Sequence, residues 1–564
     1  MAKNLIIRAG QEFDLLKEQY QVMQGALAPL NLTKWQIFKL FSQQIWRESP
    51  PAIRIVLAGI TSLLVFSGIF FFIIEPYFYS LRRLGLPLHS MKPRGKGQGD
   101  YDYRQLLEDG AAKYPNQPYL TSYAGDEFVV FPSSFFDEVK RLPPQKASMA
   151  QYMNNKAFRG FNFLGTHGSS MTKTIGVDIS RGITLKVNKR QEQARVACEA
   201  AIGPAEEWKD FSIFWTIQDI IVRTVQTGLV GEELGNDPRW LRAVNYFPMA
   251  IMAAIWLSNF VPRFLRPLVS TVAFLPAWGL HKYMAYLLRP MVTKQVRSFK
   301  AAAAKGDDEK QDLLRPSAEK DLPITSWLMN RYRPEEQEVN QVVADTIAMS
   351  FEATPSSAGT AYYILTELLV RPDFMEELRQ ELHNVMKDGK LPLTHLSELQ
   401  KLDSVMRESS RVNPISYLSL YRLLLEPLQL SAGPLLPKGS VICVDSYHIH
   451  NSPELWEKPE VFDPLRFYKL RKKPGHESRH QFSSLGSDSP GWGDGPQACP
   501  GRQFAGNTLK IVIAHLLLNY DIKFPPGQGQ PRRHSMPNGT MQPDLAARML
   551  IRKKTQPAAN GHKI

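Results

Sequence analysis

The sequence predicts an α+β body that is mostly helical, with small β-sheets, preceded by a single membrane-spanning helix. Three observations carry this. Apolar residues recur at helical spacing through long stretches of the second half, strand-like segments are few and short, and one uncharged run of bilayer length stands near the N-terminus. The remainder is ordinary for a globular chain: 43% hydrophobic, 22% charged, mean hydropathy −0.26. Those values exclude a largely disordered chain and a polytopic membrane protein.

Residues 55–74 read IVLAGITSLLVFSGIFFFII, 20 residues without a charge. As a helix this run is about 30 Å long, the thickness of a bilayer core. Arg54 and Glu75-Pro76 bound it, and Tyr77, Phe78 and Tyr79 supply interfacial aromatics. A buried helix has the same composition, whereas a cleaved signal peptide is disfavoured by the 54 mostly polar residues ahead of the run. Lys39, Arg47 and Arg54 flank one side and Arg82, Arg83, Lys92 and Arg94 the other, a slight excess that favours a cytosolic C-terminal body. The expected organisation is an extension over 1–54, the anchor over 55–74, a Pro/Gly-rich hinge over 75–99, one large body over 100–550 and a basic tail over 551–564.

Two further uncharged stretches, 243–262 and 267–280, are interrupted by Pro248 and Pro276. Interruption predicts amphipathic or monotopic helices resting on a membrane, or equally a buried core, in preference to further spans. Residues 300–320 (KAAAAKGDDEKQDLLRPSAEK) are polar and read as an exposed loop. A long central helix is expected over 338–369, and another over 373–387 with Glu/Arg pairs at helical spacing. Strands are expected over 127–131, 417–424 and 440–444.

The formal charge is +14, from 68 Lys+Arg against 54 Asp+Glu. Part of the excess lies between 466 and 479, where Arg466, Lys469, Arg471, Lys472, Lys473 and Arg479 face only Glu477. A solvated face, an acidic protein partner or an anionic membrane would each account for it. No recognisable module interleaves aromatics with these bases, which sets nucleic acid aside. The three cysteines, Cys198, Cys443 and Cys499, cannot form a disulfide scaffold and show no zinc-type spacing, so the main body reads as reduced and cytosolic.

Three short signals in the last third carry the chemistry. Glu408-Ser-Ser-Arg411 sits on helical sequence, where residues three apart share a face and a carboxylate can meet a guanidinium. Alone, such a pair is ordinarily a surface ion pair. Phe462-Asp-Pro-Leu-Arg466-Phe467 is a turn that can add a second arginine. Trp492-Gly-Asp-Gly-Pro-Gln-Ala-Cys499-Pro-Gly-Arg502 then places one cysteine in a Gly/Pro-rich loop just before an apolar helix. Gly493, Gly495 and Gly501 let the backbone approach a flat ligand, and amides at the helix start can donate to the sulfur. The helix dipole is expected to lower the thiol pKa.

Together these signals resemble the cytochrome P450 family of haem-thiolate monooxygenases. The match is to WxxGxQxCxG at Trp492, Gly495, Gln497, Cys499 and Gly501, where the family usually has FxxGxRxCxG. The resemblance extends upstream over the anchor, hinge and central helix, and the segments VPRFLRPLV and ACPGRQFA look like fungal microsomal members of secondary metabolism. It implies haem as cofactor, Cys499 as the axial iron ligand, and Glu408, Arg411 and Arg466 as the structural triad behind the haem. Gln497 departs from the usual arginine. It can hydrogen-bond a haem propionate without neutralising it, and Arg422 resembles a propionate-binding arginine that would compensate. The family's aromatic-plus-arginine contact from an earlier helix has no clear counterpart.

A second departure lies in the central helix. Relatives carry an acid followed by a hydroxyl that hands protons to dioxygen. Here Glu352-Ala-Thr-Pro355-Ser356-Ser357 puts proline at the acid position and keeps a hydroxyl at Ser356. Pro355 removes one helical bond and opens the helix locally, and Glu352, one turn before Ser356, is the nearby carboxylate. Glu352 and Ser356 are therefore the candidate catalytic residues, with a solvated Glu352 as the plain alternative. The implied reaction inserts one oxygen atom of dioxygen into a hydrophobic substrate, a terpenoid or related secondary metabolite, at an endoplasmic-reticulum membrane. Electrons would come from NADPH through a separate flavoprotein reductase, because the chain has no nucleotide-binding fingerprint of its own. The rivals are a haem-thiolate isomerase or dehydratase needing no reductant, and a non-enzymatic membrane haem protein.

Overall fold

A computed structural model describes residues 51–69, 84–89, 103–123, 126–179, 187–259, 265–305, 325–333, 336–386, 396–535 and 539–554, with isolated positions besides. Most of the N-terminal extension, most of the hinge, Tyr77–Tyr79, the polar stretch from 306 and the tail from 555 lie outside the described residues. The chain divides into two units, one comprising Met1–Ser80 with Arg263–Leu265 and the other Leu81–Pro262 with Arg266–Ile564.

The first unit contributes α1 (Pro51–Ile69), helical over most of the expected anchor, with Ile55, Leu63, Val65, Phe66 and Ile69 exposed. In the second unit the longer helices are α2 (Tyr103–Lys113), α3 (Val187–Ile202), α4 (Ile213–Gly235), α5 (Pro238–Asn259), α6 (Arg266–Lys305), α7 (Thr325–Arg331), α8 (Val339–Ala353), α9 (Pro355–Leu369), α10 (Pro372–Val385), α11 (Gln400–Val412) and α12 (Arg502–Asn519). The core follows from their apolar faces. Ile217, Ile220, Ile221 and Val225 recur at three- and four-residue spacing on α4, which packs against α9 and α12, where Ala361, Leu365, Leu509 and Val512 are buried.

The strands are β1 (Tyr119–Tyr123), β2 (Asp126–Phe131), β3 (Ala147–Ser148), β4 (Lys209–Ser212), β5 (Leu418–Leu424), β6 (Val441–Asp445), β7 (Tyr520–Lys523), β8 (His534–Ser535), β9 (Met541–Gln542) and β10 (Arg548–Lys553). A five-stranded sheet runs β1-β2-β6-β5-β3, with only β2 and β6 parallel. β6, VICVD, is buried at every position, as expected of a continuous apolar run covered on both faces. The three strands expected from sequence lie within one residue of β2, β5 and β6. A second sheet runs β4-β10-β7, so the body continues past residue 550 to Lys553.

Proline acts differently at different places. α5 runs unbroken through Pro248, and the 40-residue α6 through Pro276 and Pro290, contrary to the expectation of short pieces. A missing N–H costs a helix about 3 kcal/mol. Packing compensates here: Trp240, Val244, Phe247, Ile251 and Ala254 of α5 are buried, and α5 packs along α6. Residues 300–305 of the polar stretch are the helical end of α6. The central helix, by contrast, does break. Thr354 (φ −95°, ψ −62°) separates α8 from α9, and Pro355 opens α9 at its first position, where no N–H is needed.

Candidate active site

Cys499 lies between a short 3₁₀ turn over Gly495–Gln497 and the start of α12. Its N–H donates to Trp492 O at 2.8 Å, closing the loop, and the amides of Gly501 and Arg502 lie close enough to its sulfur to act on the thiol pKa. The amides and Arg502 pull the thiol pKa down, but burial outweighs them and pushes it up. The expected lowering is thus reversed in the bare protein, because desolvation of a thiolate exceeds what two amides return.

The loop is anchored on the segment between residues 140 and 149. Lys140 Nζ sits 3.0 Å from Asp494 Oδ2. Gly495 holds φ +67°, and a Cβ there would overlap the Lys140 carbonyl oxygen, so glycine is required. Gln497 accepts from Met149 N at 2.9 Å and donates to Ala147 O at 2.8 Å and Leu142 O at 3.3 Å. Both ends of its amide are engaged by backbone, so in this structure Gln497 braces the loop. Trp492 donates from its indole N–H to Phe482 O at 2.7 Å and meets the Phe482 ring edge-on.

Behind the loop, Glu408, Arg411 and Arg466 meet as the spacing suggested, and all three are buried. Arg411 grips Glu408 with two bonds of 2.9 and 2.8 Å, and Arg466 Nε reaches both carboxylate oxygens at 3.1 and 3.2 Å. The remaining guanidinium N–H groups donate to the carbonyls of His450, Glu457, Lys458, Pro459 and Val461. A buried ion pair survives only with such satisfaction.

Arg422 is the reverse case. It is 2% exposed on β5, next to a bulge between Ser419 and Arg422 where Leu420 takes φ +51°. Nη1 donates to Tyr421 O, while Nε and Nη2 have no partner among the described residues, and burial lowers its pKa to about 10. A buried, half-unpaired guanidinium calls for an anion.

At the α8–α9 break, Glu352 is partly buried and Ser356 exposed. The Ser356 hydroxyl donates to Glu352 O at 3.1 Å. Glu352 is near enough to Cys499 to raise its thiol pKa electrostatically. Sequence reasoning missed what lies beside it: His167 Nε2 is 3.5 Å from Glu352 Oε1, on a loop tied to buried Asp345. Two acids seven residues apart on the apolar sequence of α8, Asp345 and Glu352, were the available signal. The 179-residue separation of Thr166 and Asp345 hid the contact.

A family profile described as Cytochrome P450 matches residues 178–550. The chain belongs to that family. It is 40% identical over 538 residues to cytochrome P450 monooxygenase ffsD of Aspergillus flavipes, covering 95% of this chain and 99% of the relative. It is 40% identical over 546 residues to cytochrome P450 monooxygenase CYP1 of Pyricularia oryzae, covering 96% and 98%. Pyrichalasin C-18 hydroxylase of Pyricularia grisea is 36% identical over 538 residues, covering 95% and 98%. The protein is accordingly a P450 monooxygenase with haem as cofactor, using dioxygen and a redox partner. The residues present fit that group: a thiol just ahead of a helix start with two backbone amides near it, a loop of obligatory glycine, and a buried guanidinium lacking an anion.

Proposed function

We propose that this P450 is a membrane-anchored hydroxylase of a hydrophobic fungal secondary metabolite, supplied with electrons from NADPH by a separate flavoprotein reductase. The observation that carries it is the Cys499 thiol, held at the start of α12 with the Gly501 and Arg502 amides near its sulfur. In this reading Cys499 would ligate the iron, Trp492, Gly495 and Gly501 would shape the loop that holds the haem, Arg422 would take a propionate, and Glu408, Arg411 and Arg466 would brace the loop. Bound haem supplies the iron at which dioxygen is activated. The chain's own residues hold the sulfur, neutralise the propionate and deliver protons from the Glu352 side.

A cluster of Phe158, Phe163, Phe247, Phe274 and Phe351 beside the helix break supports an apolar substrate. The similarity to pyrichalasin C-18 hydroxylase favours hydroxylation of a pyrichalasin-like compound over the terpenoid suggested by sequence. Membrane attachment rests on the exposed apolar residues of α1 and on the outer face of α5 and α6, where Tyr246, Trp256, Leu257, Leu268, Val272 and Trp278 are exposed. Among the described residues α5 is also long and apolar enough to cross a bilayer, but its packed inner face favours lying on the membrane. The catalytic body would face the cytosol from the endoplasmic reticulum. For the reductase, the basic patch is narrower than its sequence: Arg466 and Arg471 are buried, leaving Lys469, Lys472, Lys473 and Arg479.

The test is product formation by the purified protein with reductase and NADPH, comparing pyrichalasin lacking its C-18 oxygen with a terpenoid panel. Product without NADPH would favour the isomerase reading. For the membrane claim, deletion of residues before Pro87 should release much of the protein yet leave residual vesicle binding. Complete solubility would remove α5 and α6 from the membrane.

A further inference from the structure

The loop ahead of the short helix Ser169–Lys173 is fastened to α8 through one buried carboxylate. Asp345 accepts from Thr166 N at 2.6 Å, Thr166 Oγ1 at 2.7 Å and the Tyr332 hydroxyl at 2.5 Å. Asn162 closes the turn, donating to Gly165 O at 2.9 Å and accepting from Leu164 N at 3.1 Å. Gly165 holds φ +59°, and a Cβ there would overlap Asp345 Oδ1. His167 follows at φ +45°, a conformation that its surroundings must impose. The fastening aims its ring along α8, where Nε2 stands 3.5 Å from Glu352 Oε1. Glu352 is seven residues beyond Asp345, two turns on and therefore on the same face.

Both members of this pair are about one-third exposed, so each can exchange protons with water. Glu352 is also near enough to Cys499 for its charge to be felt at the sulfur, and its backbone carbonyl receives the Ser356 hydroxyl. Pro355, at the break itself, has no group that can carry a proton.

Resting on the monooxygenase reading above, we propose that His167 and Glu352 form a proton-delivery pair, in which His167 Nε2 supplies Glu352 Oε1 and Glu352 supplies the oxygen being reduced to water. Inserting one atom of dioxygen into a C–H bond leaves the other as water, which takes two electrons from the reductase and two protons. Each proton leaves the His167 imidazolium for the Glu352 carboxylate, then leaves the resulting carboxylic acid through a water molecule. His167 regains its proton from solvent. His167 acts through Glu352 and is a positioning and supply group; Asp345 fixes where it stands. The hydrogen-bonding Glu352 raises the His167 pKa more than burial lowers it, and Asp345 adds to the rise, so the ring is charged more of the time than a free histidine.

The pairing is read first without turnover. Diethylpyrocarbonate, which attacks neutral imidazole, should modify His167 at pH 7 several-fold faster in Glu352→Gln than in the parent, followed by peptide mass spectrometry. Equal rates would overturn the pair. Delivery is then read in full-length protein in phosphatidylcholine vesicles with reductase, using pyrichalasin lacking its C-18 oxygen as probe. Cumene hydroperoxide, which brings reduced oxygen of its own, is the alternative drive. In His167→Gln and in Glu352→Gln, the ratio of reductase-driven to hydroperoxide-driven product should fall at least tenfold while peroxide release rises. The double variant should be no worse than either single. An unchanged ratio, including loss of both drives in proportion, would overturn the proposal. A parent protein that shows the thiolate band but yields no product by either drive would instead overturn the monooxygenase reading, with the modification rates still reporting on the pair.

Discussion

Two sides of the site are built on different principles. Around Cys499 the supporting groups are buried or half-buried and joined by short bonds: Glu408 holds two arginines, Gln497 ties the loop to Ala147 and Met149, and Lys140 meets Asp494. At the α8–α9 break the groups are half-exposed, the helix is interrupted, and the nearest acid is paired at 3.5 Å with a histidine from a distant loop. A scaffold that must hold a metal ligand in one geometry benefits from over-determination. A path that must take up and release protons needs groups whose state can change. The difference predicts that substitutions on the first side lower cofactor content or stability, whereas those on the second alter the fate of oxygen in protein that still carries haem.

The largest expected effect is that of Cys499→Ser, which should abolish the carbon monoxide–bound thiolate absorbance band. A persisting band would require another thiolate, yet Cys198 and Cys443 are fully buried with thiol pKa values pushed far up by burial. Next comes the triad. Removing one partner from a buried ion pair costs about 3–5 kcal/mol. Glu408→Ala should exceed Arg411→Ala, since it strands two guanidiniums, whereas Arg411→Ala leaves Glu408 still bonded to Arg466. Haem content per folded protein and thermal midpoint measure both. Normal values would place the pair outside the scaffold.

Legibility in the sequence followed the same division. The meeting of Glu408, Arg411 and Arg466 could be read because the Glu408–Arg411 spacing is short and a turn can add Arg466. The helix break at Pro355 was legible too, because a proline in an apolar helical run has few outcomes. Pro248, Pro276 and Pro290 show the limit: the same residue is absorbed where tertiary packing compensates, and packing is not written locally. The bracing contacts of Gln497 were not legible, because an amide offers donor and acceptor alike and only the fold reveals that Ala147 and Met149 engage them. A third of the basic run's apparent surface charge was likewise illusory, at Arg466 and Arg471, which turn inward to Glu408 and Asp403.

A milder test of the over-determined side is Gly495→Ala. It places a side chain at φ +67° against the Lys140 carbonyl and should cost about 1–3 kcal/mol, seen as a lower thermal midpoint with weakened haem retention. An unchanged midpoint would mean that the loop can shift, and that its anchoring on Lys140 and Gln497 is looser than its bonds imply.

The smallest effect is expected from Ser356→Ala, and it sharpens the comparison most. The Ser356 hydroxyl already donates its proton to Glu352 O at 3.1 Å, so toward the reacting oxygen it can offer only lone pairs that fix a water. One hydrogen bond to a water is worth about 1 kcal/mol, less than the roughly 1.4 kcal/mol that makes a tenfold change in rate. A positioned general acid contributes about 10²–10⁴-fold. Ser356→Ala should therefore lower product formation by about tenfold or less, with more NADPH diverted to hydrogen peroxide and an intact thiolate band. Product, NADPH consumption and peroxide, measured together, decide the matter. A loss of several hundredfold, larger than that of Glu352→Gln, would reverse the assignment: Ser356 would then anchor the proton path, and the His167–Glu352 pair would be a support for the helix break.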